Sequence, residues 1–111
     1  MVTLTKYKLE TIDIRSREWF DRVNGNSYFS ATIHLNYGKR NEKEIILNFQ
    51  YGYGEHYIDI ANQTLIKKGY IVGERNDNGS YEPLWRYCNE NNITLRTFKQ
   101  ENCKKRELQT Q

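Results

Sequence analysis

An Asn-Gly pair followed by an unbroken alternation constrains this chain more than any other feature. Asn24-Gly25 supplies the positive φ values that a tight hairpin turn requires. Beyond it, Phe29, Ala31, Ile33, Leu35 and Tyr37 alternate with Tyr28, Ser30, Thr32, His34 and Asn36. A period of two sustained over this length predicts a half-buried strand. The first set is expected to face a core and the second to face outward.

The flanking segments extend this strand into a meander. Tyr7–Ile14 reads as a strand whose buried face switches partway, from the odd positions Tyr7 and Leu9 to the even positions Ile12 and Ile14. A bulge produces such a switch. Arg15–Val23 is irregular and fits either strand or a short loop. After a polar connection at Gly38–Glu42, Ile45, Leu47, Phe49 and Tyr51 are expected inside, with Glu44, Ile46, Asn48 and Gln50 opposite.

From Glu55 the period becomes helical. Ile58, Ala61, Leu65 and Ile66 share one face bordered by Tyr57, Lys67 and Lys68 suit the negative end of the dipole, and Gly69 is a natural stop. Arg75–Ser80 reads as a polar loop. Pro83 opens a second, short helix running through Cys88 to about Asn91. Ile93–Lys99 predicts a last strand with Ile93 and Leu95 buried. The expected fold class is therefore α+β: an antiparallel sheet of three to four strands with two helices packed on one face, in the order β-β-β-α-α-β. Residues 1–100 form one domain in this reading. The basic tail 101–111, with Lys104, Lys105 and Arg106, is expected to fray.

Composition limits the core and the partners. Leu, Ile, Val and Phe make up about 23% of 111 residues, just above the roughly 20% below which disorder is expected. Nine tyrosines and two tryptophans must then supply much of the buried area. A net charge of +3 is modest for a dedicated nucleic-acid binder. Met1–Lys8 lacks the apolar stretch of a signal peptide, and the longest apolar run is Ile45-Ile46-Leu47, too short for a membrane span. A cytoplasmic protein with Cys88 and Cys103 reduced is the expectation.

Few residues suggest chemistry. Tyr51-Gly52-Tyr53-Gly54 before the first helix resembles a phosphate-binding turn only superficially. Glu55 and Asp59 would repel an anion there, and the Lys and Ser/Thr of a nucleotide loop are missing. His34 and His56 fall on different elements, so no metal or cofactor is expected. Cys88 occupies an apolar helix position, where thiols are inert. Asp13, Asp21, Glu44 and Asp59 are scattered, and no enzymatic activity is expected. A hydrogen-bonding sheet face (Tyr28, His34 and Asn36, beside Asn48 and Gln50) and an arginine patch (Arg15, Arg17 and Arg22) are the candidate partner-binding residues. Trp19 and Phe20, within that patch, fit either core or interface.

Arg17-Glu18-Trp19-Phe20, Asn24-Gly25-Asn26-Ser27-Tyr28 and Tyr51-Gly52-Tyr53-Gly54 with Tyr57 resemble a pattern in small accessory proteins of bacteriophages and prophages, over residues 12–95. The resemblance implies a bacterial cytoplasm and a non-enzymatic binding protein. Such a protein would inhibit a host defence complex of CRISPR type, as anti-CRISPR proteins do, or another host nucleoprotein. It transfers no site residue. The alternative is a direct nucleic-acid binder using the open sheet face and the Lys104–Arg106 cluster. Homodimerisation through an edge strand is a third possibility.

Overall fold

Four strands and three helices follow one another along the chain: β1 (Thr11–Asp21), β2 (Asn26–Leu35), β3 (Lys43–Tyr51), α1 (His56–Lys67), α2 (Leu84–Glu90), β4 (Thr94–Gln100) and α3 (Lys105–Gln109). The computed structural model describes residues 8–73 and 81–109. Tyr7 and Arg75–Ser80 lie outside that range. The fold is α+β, but the sheet is mixed. In the strand order β3-β2-β1-β4, β4 runs parallel to β1 while the other pairs are antiparallel. The long connection between β3 and β4, which carries α1 and α2, permits this, because parallel pairing needs a crossover and not a hairpin.

The core side of the sheet follows from register. Ile12 and Ile14 of β1 stand opposite Leu35 and Ile33 of β2, while Ile45 and Leu47 of β3 stand opposite Ile33 and Ala31. Tyr57, Ala61 and Leu65 of α1, with Leu84 and Cys88 of α2, are buried in the same apolar cluster. Each fully buried Ile or Leu there contributes about 1.5–3 kcal/mol. The α1 stripe runs along Tyr57, Ala61 and Leu65, so Ile58 and Ile66 flank the contact instead of centring it. At the end of α1 the Tyr70 N–H donates to the Leu65 carbonyl, and Gly69 takes φ 83°, the left-handed stop that glycine favours.

Several expectations are corrected. β1 runs unbroken through Arg15–Asp21 with Ile12, Ile14 and Ser16 all buried, and it pairs with β2 without a register shift. The bulge lies in β3, opposite Ser30: Ala31 pairs with Leu47 but Phe29 pairs with Gln50. The extra residue swaps the alternation, so Phe49 and Tyr51 leave the core side, Phe49 to stack on Tyr28 and Tyr51 to meet it edge-on. The hairpin loop spans Arg22–Gly25, with only Gly25 at positive φ. Asp21 holds it by accepting the N–H groups of Val23 and Asn24.

Tyr37 and Asn36 exchange their expected roles. Asn36 has φ 53° and ends the strand, so Tyr37 turns outward and the Asn36 side chain is buried. The tail also packs. Leu108 of α3 is fully buried, and α3 crosses the sheet face opposite α1 and α2 over β1, β2 and β3. The helices thus lie on both faces.

Candidate partner-binding face

Side chains of odd-numbered β1 residues and even-numbered β2 residues point away from α1 and α2, and they define the second face. Its hairpin end carries an aromatic ladder. Trp19 stacks on Tyr28 at 5.5 Å between centroids, and Tyr28 stacks on Phe49 at 5.1 Å. The segment 101–109 covers this half. Cys103 N–H donates to the Glu18 carbonyl, Arg17 Nη1 donates to the Glu107 carbonyl at 2.9 Å, and Lys105 Nζ lies 5.7 Å from the Trp19 ring centroid. Glu107 also accepts the Lys104 N–H at 2.7 Å, the backward bond that starts a short helix. Trp19 is therefore a half-buried packing residue on the second face, while Phe20 is half exposed beyond the helices.

The other half of the face is uncovered. A cleft of about 290 Å3 is lined by Asp13, Arg15, His34, Tyr37, Arg96 and Phe98, among others. An adjoining hollow of about 260 Å3 adds Arg17, Ser30 and Thr32. Arg96 is fixed to Asp13 by two hydrogen bonds, Nε to Oδ1 at 2.5 Å and Nη2 to Oδ2 at 3.0 Å, so its charge is matched. Arg15 is exposed and has no ion pair or hydrogen bond through its side chain among the described residues. Its register neighbours are Phe98 and Thr32. Phe98 and Tyr37 are both 56% exposed, an unusual cost in a chain so short of apolar side chains.

The floor of this cleft is polar. Ser30 Oγ and His34 Nδ1 are buried without a hydrogen-bond partner among the described residues. The imidazole packs edge-on against Tyr37 at 5.2 Å, with Nδ1 3.5 Å from a Glu42 oxygen and 3.8 Å from a Glu44 oxygen. Buried polar atoms without protein partners are rare, and ordered water is a common way in which such groups are satisfied.

The structure divides the six predicted contact residues. Arg15, Arg17 and His34 line adjoining parts of one cleft. Tyr28 belongs to the ladder under α3, and Arg22 sits at the hairpin tip beyond the end of β1. Asn36 is fully buried and not on the exposed face. Its Oδ1 accepts the N–H groups of Glu10 at 2.6 Å and Thr11 at 3.1 Å, and its Nδ2 donates to the Lys8 carbonyl at 2.8 Å. Asn48 is exposed, while Gln50 shifts to the core-side register at the bulge. Sequence reasoning missed Phe98, Tyr37 and Arg96. Placing Leu95 inward already implied that Phe98, three residues on, points outward.

Elsewhere the residues weighed for chemistry stay apart. Among the described residues no three His, Cys, Asp or Glu side chains cluster as metal ligands. Cys88 lies in the core, across the sheet from His34, and burial pushes its thiol up to about 11. The Tyr51–Gly54 turn has a packing role. A Cβ on Gly52 would meet the His56 ring at 2.6 Å and the Phe29 ring at 2.7 Å, and the Gly54 carbonyl accepts Lys99 Nζ at 3.2 Å. No helix of the described residues is long and apolar enough to cross a membrane. No family model, curated protein or solved structure matches this chain.

Proposed function

We propose that the protein acts by binding and not by catalysis, docking a host nucleoprotein complex on the uncovered half of the second sheet face and so inhibiting it. The kind of target follows from the resemblance to small phage and prophage accessory proteins, with a CRISPR-type defence complex as the leading class. The observation that carries the reading is Arg15, an exposed guanidinium without a partner among the described residues, beside the exposed ring of Phe98. Arginine and aromatic side chains together supply the anchors of macromolecular interfaces.

Immobilised full-length protein exposed to nuclease-treated bacterial lysate should retain a stoichiometric partner. Arg15→Glu and Phe98→Ala should each abolish retention while leaving the circular dichroism spectrum unchanged. Retention that ignores both substitutions would remove the sheet face from the interaction.

Direct nucleic-acid binding is the second reading, favoured by the unpartnered Ser30 Oγ and the Arg15–Phe98 pair, which suit a phosphate and a stacked base. It predicts that a fluorescent single-stranded oligonucleotide binds at low salt, with log affinity falling by roughly 0.7 per contacted phosphate for each log unit of salt. An unchanged anisotropy at low salt excludes it.

A further inference from the structure

The helix side of the molecule carries a second recess, independent of the sheet face. Two adjoining hollows of about 420 and 500 Å3 meet at the start of α1 and share Glu55 and Asp59. One is walled by Ile58 of α1, by Pro83, Leu84 and Trp85 at the start of α2, and by Leu95 of β4. The other is walled by the Tyr51–Gly54 turn. Trp85 is 60% exposed and Tyr53 70% exposed. Tryptophan is the residue most often found at the energetic centre of protein interfaces.

Glu55 is at the N-cap of α1 yet makes no side-chain capping bond. The two carboxylates have no side-chain partner among the described residues. They stand one helical turn apart, a spacing at which like charges oppose helix formation. Helix-dipole complementarity favours acids in this turn, but it gives no reason for exposed rings on both sides of them. The nearby cation Lys99 does not offset them, because its Nζ is held at 3.2 Å from Glu101 and 3.7 Å from Glu18. Arg86 lies 5.6 Å from the Trp85 ring centroid, an internal instance of the cation–aromatic contact such a surface supports.

We infer that this recess binds a basic segment of a partner protein: a Lys or Arg side chain meets Glu55 and Asp59, and an adjacent apolar side chain packs on Trp85 and Leu84. Charge complementarity selects this occupant. A nucleic-acid backbone or an acidic peptide would be repelled by the two carboxylates. The site does not depend on the sheet-face reading and lies across the sheet from it.

The test uses the full-length 15N-labelled protein at low salt, titrated with a short peptide of Lys, Leu and Ser and, in parallel, with its Glu, Leu and Ser counterpart. The Lys peptide should shift the Trp85 indole N–H and the Glu55 and Asp59 amides to saturation, and the Glu peptide should not. Glu55→Gln combined with Asp59→Asn should weaken binding by about tenfold or more. Trp85→Ala should weaken it too, with Trp85→Phe as the milder variant should the alanine protein fail to fold. Val23→Ser, at the exposed hairpin tip, should leave Lys-peptide binding unchanged. Equal response to both peptides, or indifference to the carboxylate substitutions, overturns the inference. So do concentration-dependent shifts of the same signals without peptide, since these would mean that a second copy, through its Lys104–Arg106 cluster, occupies the recess.

Discussion

At Asn36 the backbone leaves β2 in the left-handed region, which Asn tolerates better than any residue but glycine. The side chain then clips the start of β1 to the end of β2 through three hydrogen bonds, to Glu10, Thr11 and Lys8. Its burial makes every one of those partners costly to leave unmatched. Asn36→Ala should lower the unfolding free energy by about 2–4 kcal/mol, read as a fall in the urea midpoint. Asn36→Gly, which keeps the backbone conformation, should cost less. Neither should alter partner affinity once folded, and an affinity loss without a stability loss would restore Asn36 to the contact surface. Cys88 makes a second residue-level case. Burial raises its thiol from 9.0 to about 11, so the native state keeps a proton that the unfolded chain releases. That stabilisation is complete below pH 9 and is lost as pH climbs through 11. Alkaline unfolding of the wild type should therefore steepen across that window relative to Cys88→Ala, by an amount on the order of 2 kcal/mol. Parallel pH profiles for the two proteins would mean that the thiol is not desolvated.

Among the elements, α3 depends most on a single side chain. It has five residues, and Leu108 is its one buried group. Leu108→Ala should cost about 2–4 kcal/mol and free the Trp19 indole from its cover, giving a red-shifted emission. A tail that merely frayed would show neither change. This helix also shows what the sequence could and could not convey. Periodicity needs a window of roughly 11–18 residues, and one leucine in a basic pentamer offers no period to detect. The core strand Phe29–Leu35 and the α1 stripe were legible because each repeats its apolar spacing several times. The β3 bulge was not legible, since Ile45, Leu47, Phe49 and Tyr51 alternate perfectly and only the pairing with β2 shows that Phe49 has changed sides. The parallel pairing of β4 was hidden for a similar reason: Leu95 points inward whichever neighbour its strand adopts. At the candidate site, His34 was singled out by the outward phase of its strand, whereas Arg15 and Arg17 were singled out only as arginines near aromatic residues, because their segment reads as irregular. Tyr37 was lost because the phase breaks at Asn36, a conformational event that no alternation rule records.

Taken as a whole, the molecule packs its two sheet faces unequally, and that inequality governs how it opens. The side bearing α1 and α2 holds the fully buried aliphatics Ile12, Ile14, Ile33, Leu35, Leu65 and Leu84. Among the described residues the other side is closed by Leu108, Cys103, the aromatic ladder and a few hydrogen bonds to the strand ends. Local opening free energies scale with the buried apolar contacts a segment must give up. The 101–109 segment should therefore detach while the sheet and its two larger helices remain native. Hydrogen exchange tests this directly through two amides that bond to backbone carbonyls far away in the chain. Cys103 N–H bonds to Glu18 O, and Gly52 N–H bonds to Ser27 O. Cys103 should exchange at least about tenfold faster than Gly52, corresponding to a difference of roughly 1.4 kcal/mol in opening free energy. It should also respond weakly to denaturant, as expected for a sub-global opening, whereas Gly52 should follow global unfolding. Because the detached state uncovers Trp19, Tyr28 and Phe49 alongside the Arg15 cleft, a partner that engages the full face would bind that state preferentially and accelerate Cys103 exchange. A partner confined to the cleft would leave it unchanged. Equal exchange rates at Cys103 and Gly52 would mean that the two faces unfold as one unit and that the ladder is never offered to a partner.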